Sequence, residues 1–148
     1  LAIIDGMLVR VGTAKCIVPI LAIKESFCPT TGDITITPNK EELIRVRDSF
    51  YPTVRLHKIL NKTPDSHKLQ EGILIVLEHQ GANICLFVDE ILGQQQPVIK
   101  GLSGYIGNPP GISGCTILGD GEVCLIADVG ALVELSEKSG EKPVLAAA

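Results

Sequence analysis

The sequence has few aromatic residues: no tryptophan, two tyrosines and three phenylalanines in 148 positions. Apolar residues still make up 45% of the chain, so its core must be filled mainly by Ile, Val and Leu, side chains that favour strands. With Tyr51, Tyr105, Phe27, Phe50 and Phe87 as the whole aromatic set, platforms for stacking bases are scarce. The net charge is −4 and there is no basic block to neutralise phosphates. Nucleic acid is therefore not an expected partner. Cys16, Cys28, Cys85, Cys115 and Cys124 are odd in number and form no C-x-x-C pair, which argues against a disulfide framework or a zinc ribbon and points to a reducing cytoplasm. No apolar run approaches the ~20 residues that cross a bilayer, and the chain does not open as a signal peptide would. Membrane insertion is not expected. The chain starts at Leu1 inside an apolar run, as expected of a segment cut from a longer polypeptide.

What is present is a succession of short β-branched runs. Met7 to Val11 and Lys15 to Pro19 flank Gly12-Thr13-Ala14 and read as a hairpin. Ile34 to Thr37, Leu43 to Val46, and Phe50 to Leu56 after a polar turn at Arg47-Asp48-Ser49 complete a first set. The polar stretch NKTPDSHKLQEG reads as a connector between two packed units. Beyond it come GILIVLE (72–78), NICLFVDEIL (83–92) across a Gly81 turn, Pro97 to Lys100, Cys115 to Leu118 and Val123 to Ala127. The second set is apolar enough to be buried on both faces. Asp120-Gly121 predicts a two-residue type I′ hairpin between its last two strands. The same segment lacks the Lys-Ser/Thr of a Walker loop and the third glycine of a dinucleotide fingerprint. Helices are predicted only around Ile20 to Ile23 and from Val129 to Ser136. Ten strands punctuated by glycine and proline suggest an all-β protein of two small barrels.

Catalytic constellations are missing. His57, His67 and His79 stand ten and twelve residues apart, with no second donor at helical spacing, so no metal site is expected. The polar surroundings of His57 and His67 predict solvated side chains, and His79 is expected to cap a strand. A pairing of His79 with Cys85 across the Gly81 turn would be the one candidate for thiol chemistry, but Cys85, Cys115 and Cys124 lie in apolar runs where a thiol is a small buried hydrophobe. Asp89 and Glu90, adjacent on one strand, should face opposite ways and so form no acid and base pair. What remains is apolar bulk near short connections: Ile20, Leu21, Ile23, Phe27 and Phe50, which either plug a barrel end or form a binding patch.

The segments LAIIDGMLVRVG, IVPILAIKES, RVRDSFYPTVRLHKIL, LFVDEILGQQQPVIKGL and PGISGCTILGDGEVCLIADV, in this order, resemble the CheW-like C-terminal regulatory domain of the chemotaxis histidine kinase CheA. The resemblance implies an all-β fold of two intertwined five-stranded SH3-like barrels with short peripheral helices, a single domain over 1–148 with approximate subdomains 10–70 and 71–148, the N-terminal strand joining the second. It implies a non-catalytic module without cofactor or metal, the phosphoacceptor and ATP-binding domains lying upstream. The implied partners are the coupling protein CheW, the cytoplasmic tips of chemoreceptors and other domains of the parent kinase, at receptor arrays in the cytoplasm. The positions matching the family's coupling surface are Ile20, Ile23, Ser26 and Phe50. Ile20 and Ile23 would share a face of a helical turn, Ser26 could supply a rim hydrogen bond, and Phe50 would be the aromatic anchor. A free-standing CheW-type coupling protein is the nearest alternative, and a thiol-dependent enzyme using Cys85 and His79 a distant one. Two departures from the family pattern stand out: Gln95-Gln96-Pro97, where Pro97 removes a strand donor, and Asp48-Ser49 in a turn that is commonly Gly-Glu.

Overall fold

A computed structural model describes residues 2–3, 5–99 and 110–137. Among these the strands are β1 (Ala2–Ile3), β2 (Gly6–Val11), β3 (Ala14–Pro19), β4 (Ile23–Phe27), β5 (Ile34–Ile36), β6 (Glu42–Val46), β7 (Ser49–Arg55), β8 (Ile73–His79), β9 (Ala82–Val88), β10 (Glu90–Gln95), β11 (Val98–Ile99), β12 (Ile112–Ile117) and β13 (Val123–Ala127). Two α-helices, α1 (Leu56–Leu60) and α2 over 129–137, and three short 3-10 turns at Ile20–Ala22, Thr31–Asp33 and Leu69–Glu71 lie among the described residues. The fold is all-β, two intertwined SH3-like units. One is a six-stranded sheet in the order β4-β8-β9-β7-β6-β5, the other a five-stranded sheet in the order β10-β2-β3-β13-β12. A two-stranded ribbon, β1 with β11, extends the β2–β10 pairing past Asp5 and Gln96, whose side chains are hydrogen bonded at 2.8 Å. The ladder breaks beside Pro97, which has no N–H to donate.

The two sheets draw on different stretches of the chain. The first unit spans β4 to β9, residues 23–88, and the second combines β1 to β3 with β10 to β13. The polar connector at 61–68 is a surface crossing inside the first unit, because β7 pairs parallel with β9 and needs a long return path.

Burial explains the arrangement. Alternate residues of β8 and β9 point to two different cores. Ile75, Leu77, Ile84, Leu86 and Val88 join Val9, Val11, Cys16 and Val18 of the other sheet, Leu56 of α1 and Val129, Leu132 and Val133 of α2 in one central cluster. Leu74, Val76, Cys85 and Phe87 face the first unit's own core with Ile44, Val46 and Leu69. Leu8, Ile17, Cys124 and Ile126 make a smaller core in the second. Strands buried on both faces read as continuous apolar runs, and GILIVLE and NICLFV do.

The chain passes between the units at two points. At the first, Pro19 leads into a 3-10 turn at Ile20–Ala22. At the second, the run expected as one strand from Asn83 to Leu92 divides at Asp89, leaving β9 for β10. The Asp89 side chain is only 3% exposed and lies 3.7 Å from the Arg10 guanidinium; it accepts hydrogen bonds from the Gly12 N–H at 2.6 Å and the Asp65 N–H at 2.9 Å. Arg10 also pairs with Asp65 at 2.8 Å and Glu90 at 3.0 Å, and both raise its pKa. Asp89 and Glu90 therefore converge on one guanidinium instead of facing apart, because the chain turns between them. Gly12 is tightly held at φ +57, where a Cβ would stand 2.2 Å from the Thr63 carbonyl oxygen.

The turns also differ from expectation in one respect. The type I′ hairpin is at Gln80-Gly81 (φ 51 and 82), between paired His79 and Ala82. At Asp120-Gly121 only Gly121 has a positive φ, and its N–H donates to the Leu118 carbonyl at 2.9 Å, a three-residue loop with glycine in the left-handed position. The helix expected over Val129 to Ser136 is α2. Of the expected strand Pro97 to Lys100, Val98–Ile99 is β11; Lys100 lies outside the described residues.

Removing the Asp89 carboxylate strands two backbone donors and leaves Arg10 one acid fewer. Asp89→Ala is expected to lower the unfolding free energy by about 2–4 kcal/mol, measured by urea denaturation, whereas the exposed Glu90→Ala should cost less than about 1 kcal/mol.

Candidate functional site

Of the four residues singled out from the sequence, Ile20 lies in the turn before β4, Ile23 and Ser26 on β4, and Phe50 on β7. Ile20 is half-buried in the 3-10 turn, and Ile23, the first residue of β4, is half-buried with its side chain on the central core. Ser26 is exposed on β4, an edge strand paired only with β8. Phe50 is 54% exposed on β7, opposite Arg45. Arg47, in the turn before Phe50 and at φ 56, donates from Nη1 to the Glu25 carboxylate at 2.8 Å. This ion pair ties the β6–β7 turn, which leads into Phe50, to β4, the strand of Ile23 and Ser26.

Leu21, noted for its apolar bulk but left out of the four, is fully exposed. A three-residue period explains it: in a 3-10 turn residues i and i+3 eclipse, and the residue between them projects elsewhere. Ile23, with Ala22, packs against the central core, and Leu21 faces solvent. Phe27, the other aromatic near this edge, packs against the first unit's core. A second apolar site escaped the sequence reading altogether. Ile117 (55% exposed) and Val123 (50%) are direct cross-strand partners on β12 and β13.

The distant enzymatic reading fails on geometry. Cys85 pairs with Val76 and lies in the first unit's core. His79 is three positions along β8 from Val76, hence on the opposite face, exposed and with its ring against Gly130 of α2. Burial pushes the Cys85 thiol up to about 12, with a further push from the Glu25 charge. Among the described residues no group of three His, Cys, Asp or Glu side chains could hold a metal ion, and no helix is long and apolar enough to cross a membrane.

The comparisons match this all-β pair of SH3-like units. The family profile described as the CheW-like domain covers residues 5–137. The chain belongs to the CheW-like domain family. Chemotaxis protein CheA of Rhizobium meliloti is 40% identical over 149 residues, covering 100% of this chain and 20% of that protein. The CheA of Klebsiella aerogenes is 38% identical over 138 residues, 93% of this chain and 21% of that protein. The chain thus spans about a fifth of these relatives' length. Among solved structures, the scaffolding protein TtCheW from Thermoanaerobacter tengcongensis superposes with a TM-score of 0.66 at 15% identity, over 86% of this chain and 90% of that one, which shows the fold.

One histidine of this CheW-like domain is not where its neighbours in sequence predicted. His57 is buried, not solvated, because RLHKIL forms the helix α1, which closes at Asn61 in the left-handed conformation. Its ring stands edge-on to Phe87 at 6.3 Å and to the exposed His67 at 5.4 Å, and its Nδ1 is buried without a hydrogen-bond partner. Desolvation, then the charges of Arg55, His67 and Lys58, hold its pKa below the ordinary 6.5, against a smaller opposing pull from Asp89.

The fold therefore favours neutral His57, while the unfolded chain takes up the proton first as pH falls. The stability this histidine supports is present above about pH 6.5 and is lost below it. Urea midpoints for wild type should fall between pH 7 and pH 5, and more steeply than those of His57→Gln. Equal slopes would contradict this.

The thiols give a second check. Cys28 is exposed, and Cys16, Cys85, Cys115 and Cys124 are buried. Alkylation of the folded domain at neutral pH should modify Cys28 alone within minutes, by mass spectrometry after digestion, with the other four reacting only on unfolding.

Proposed function

We propose that this chain is the regulatory domain of a CheA-type chemotaxis kinase, a non-catalytic scaffold that couples receptor state to the kinase by docking the coupling protein CheW. The observation that carries the reading is exposed apolar surface near β4 and β7, with Leu21 fully exposed just before β4, Phe50 half-exposed on β7, and the Arg47–Glu25 pair fastening the β6–β7 turn to β4. In this reading Ile20 and Ile23 flank Leu21 in sequence, Ser26 supplies a rim hydrogen bond, and Phe50 is the aromatic anchor of the kind that concentrates binding energy. An edge strand such as β4 is a natural place for association, since its outer backbone groups have no ladder partner. The cytoplasmic tips of chemoreceptors and the other domains of the parent kinase are the further partners in this reading, which places the domain in the cytoplasm beneath membrane-anchored receptors.

A free-standing coupling protein is the second reading, favoured by the superposition on a CheW scaffold. Against it, relatives at 35–40% identity are CheA proteins about five times longer, and the coding sequence upstream of Leu1 separates the two.

The test is a calorimetric titration with the CheW-type protein of the same organism. Phe50→Asp and Leu21→Asp should each weaken binding by about tenfold or more, without ATP. Both side chains face solvent, so their loss should leave the urea midpoint nearly unchanged. Unaltered affinity in both variants would refute the rim.

A further inference from the structure

At the end of the β6–β7 hairpin away from Phe50 the surface is concave, with an opening of about 660 Å³. Its walls are β5 and the β5–β6 turn, the end of β7 and α1. Ile36, 63% exposed, supplies an apolar side. The base is the Arg55 guanidinium, which grips Glu42 through two hydrogen bonds of 2.8 and 2.6 Å, donates to the His67 carbonyl at 2.9 Å and lies 5.2 Å over the Phe87 ring. Lys40 and Lys58 border the opening. Neither has an acidic partner among the described residues.

The charges here run against the rest of the chain. Lys40, Arg55 and Lys58 face the single carboxylate of Glu42, an excess of two positive charges on a protein of net −4. His57 also lines the opening, held neutral with an unpartnered Nδ1. Two unpaired ammonium groups beside an exposed isoleucine match a segment that carries carboxylates around an apolar residue. They do not suit nucleic acid, for which the groove has neither a basic stripe nor exposed aromatic faces.

We infer that this concavity is a docking site for an acidic extended peptide segment of a protein partner, with carboxylates against Lys40 and Lys58 and an apolar side chain against Ile36. It is separate from the Leu21–Phe50 rim, because Glu42 and Arg55 lie at one end of the hairpin and Arg47 and Phe50 at the other.

Phage-displayed random peptides selected on the domain provide the test. The enriched sequences should carry at least two Asp or Glu residues flanking Leu, Ile or Phe. The synthetic consensus peptide should perturb the amide resonances of Ile36, Arg55 and Lys58 in nitrogen–proton correlation spectra. Its affinity should drop about tenfold in Lys40→Glu/Lys58→Glu, and less in Lys40→Gln/Lys58→Gln, with dispersed spectra confirming the fold of both. Phe50→Asp should bind the peptide as wild type does. That separates the two surfaces: failure of the rim would leave this site standing, and the reverse. No enrichment, enrichment without acidic bias, or a consensus peptide indifferent to charge reversal overturns the assignment.

Discussion

The structure depends on one shared core. Neither sheet could be stable alone, because the inner faces of β2, β3, β8 and β9 carry isoleucine, valine and leucine side chains that only the other sheet, with α1 and α2, can cover. Each fully buried side chain of this kind contributes about 1.5–3 kcal/mol relative to exposure. With so few aromatics, many small aliphatic contacts do the work that a few large rings do elsewhere. This is why the two SH3-like units are intertwined: the chain must enter the second sheet, leave it at Ile20 and return at Asp89 for the two faces to be opposed.

That requirement governs the polar chemistry as well. A chain crossing between sheets leaves backbone donors that no ladder satisfies, and Asp89 answers two of them while Arg10 balances its charge. At the other crossing the Ile20 N–H finds the Asp5 carbonyl at 2.9 Å. In the short 3-10 turn there, Ala22 and then Ile23 pack on the central core while Leu21 is left in solvent. The candidate coupling rim is thus a by-product of the crossover, with an ion pair tying the β6–β7 turn to β4.

His57 shows the same logic inside a helix of five residues. Leu56 enters the central core, and the residue after it is carried beneath the surface beside Phe87. Two basic neighbours in sequence suggested a solvated imidazole, but Arg55 folds back over Phe87 and onto Glu42, and only Lys58 reaches out.

The sequence by itself determined the all-β class, most strand positions, and the buried state of Cys85, Cys115 and Cys124. These are local properties: β-branched runs, turn residues and hydrophobic bulk are written in consecutive positions, and their motifs in order carried the family likeness. Tertiary structure alone decided which strand joins which sheet, where NICLFVDEIL breaks, that Asp89 and Glu90 meet at one guanidinium, that His57 is buried, and that Leu21 is the exposed member of its turn. Those outcomes depend on partners far away in the chain, as β3 beside β13 and β7 beside β9 illustrate. Periodicity reports that a residue has an apolar face to bury; only the opposing sheet determines against what, and which side chain is left in water.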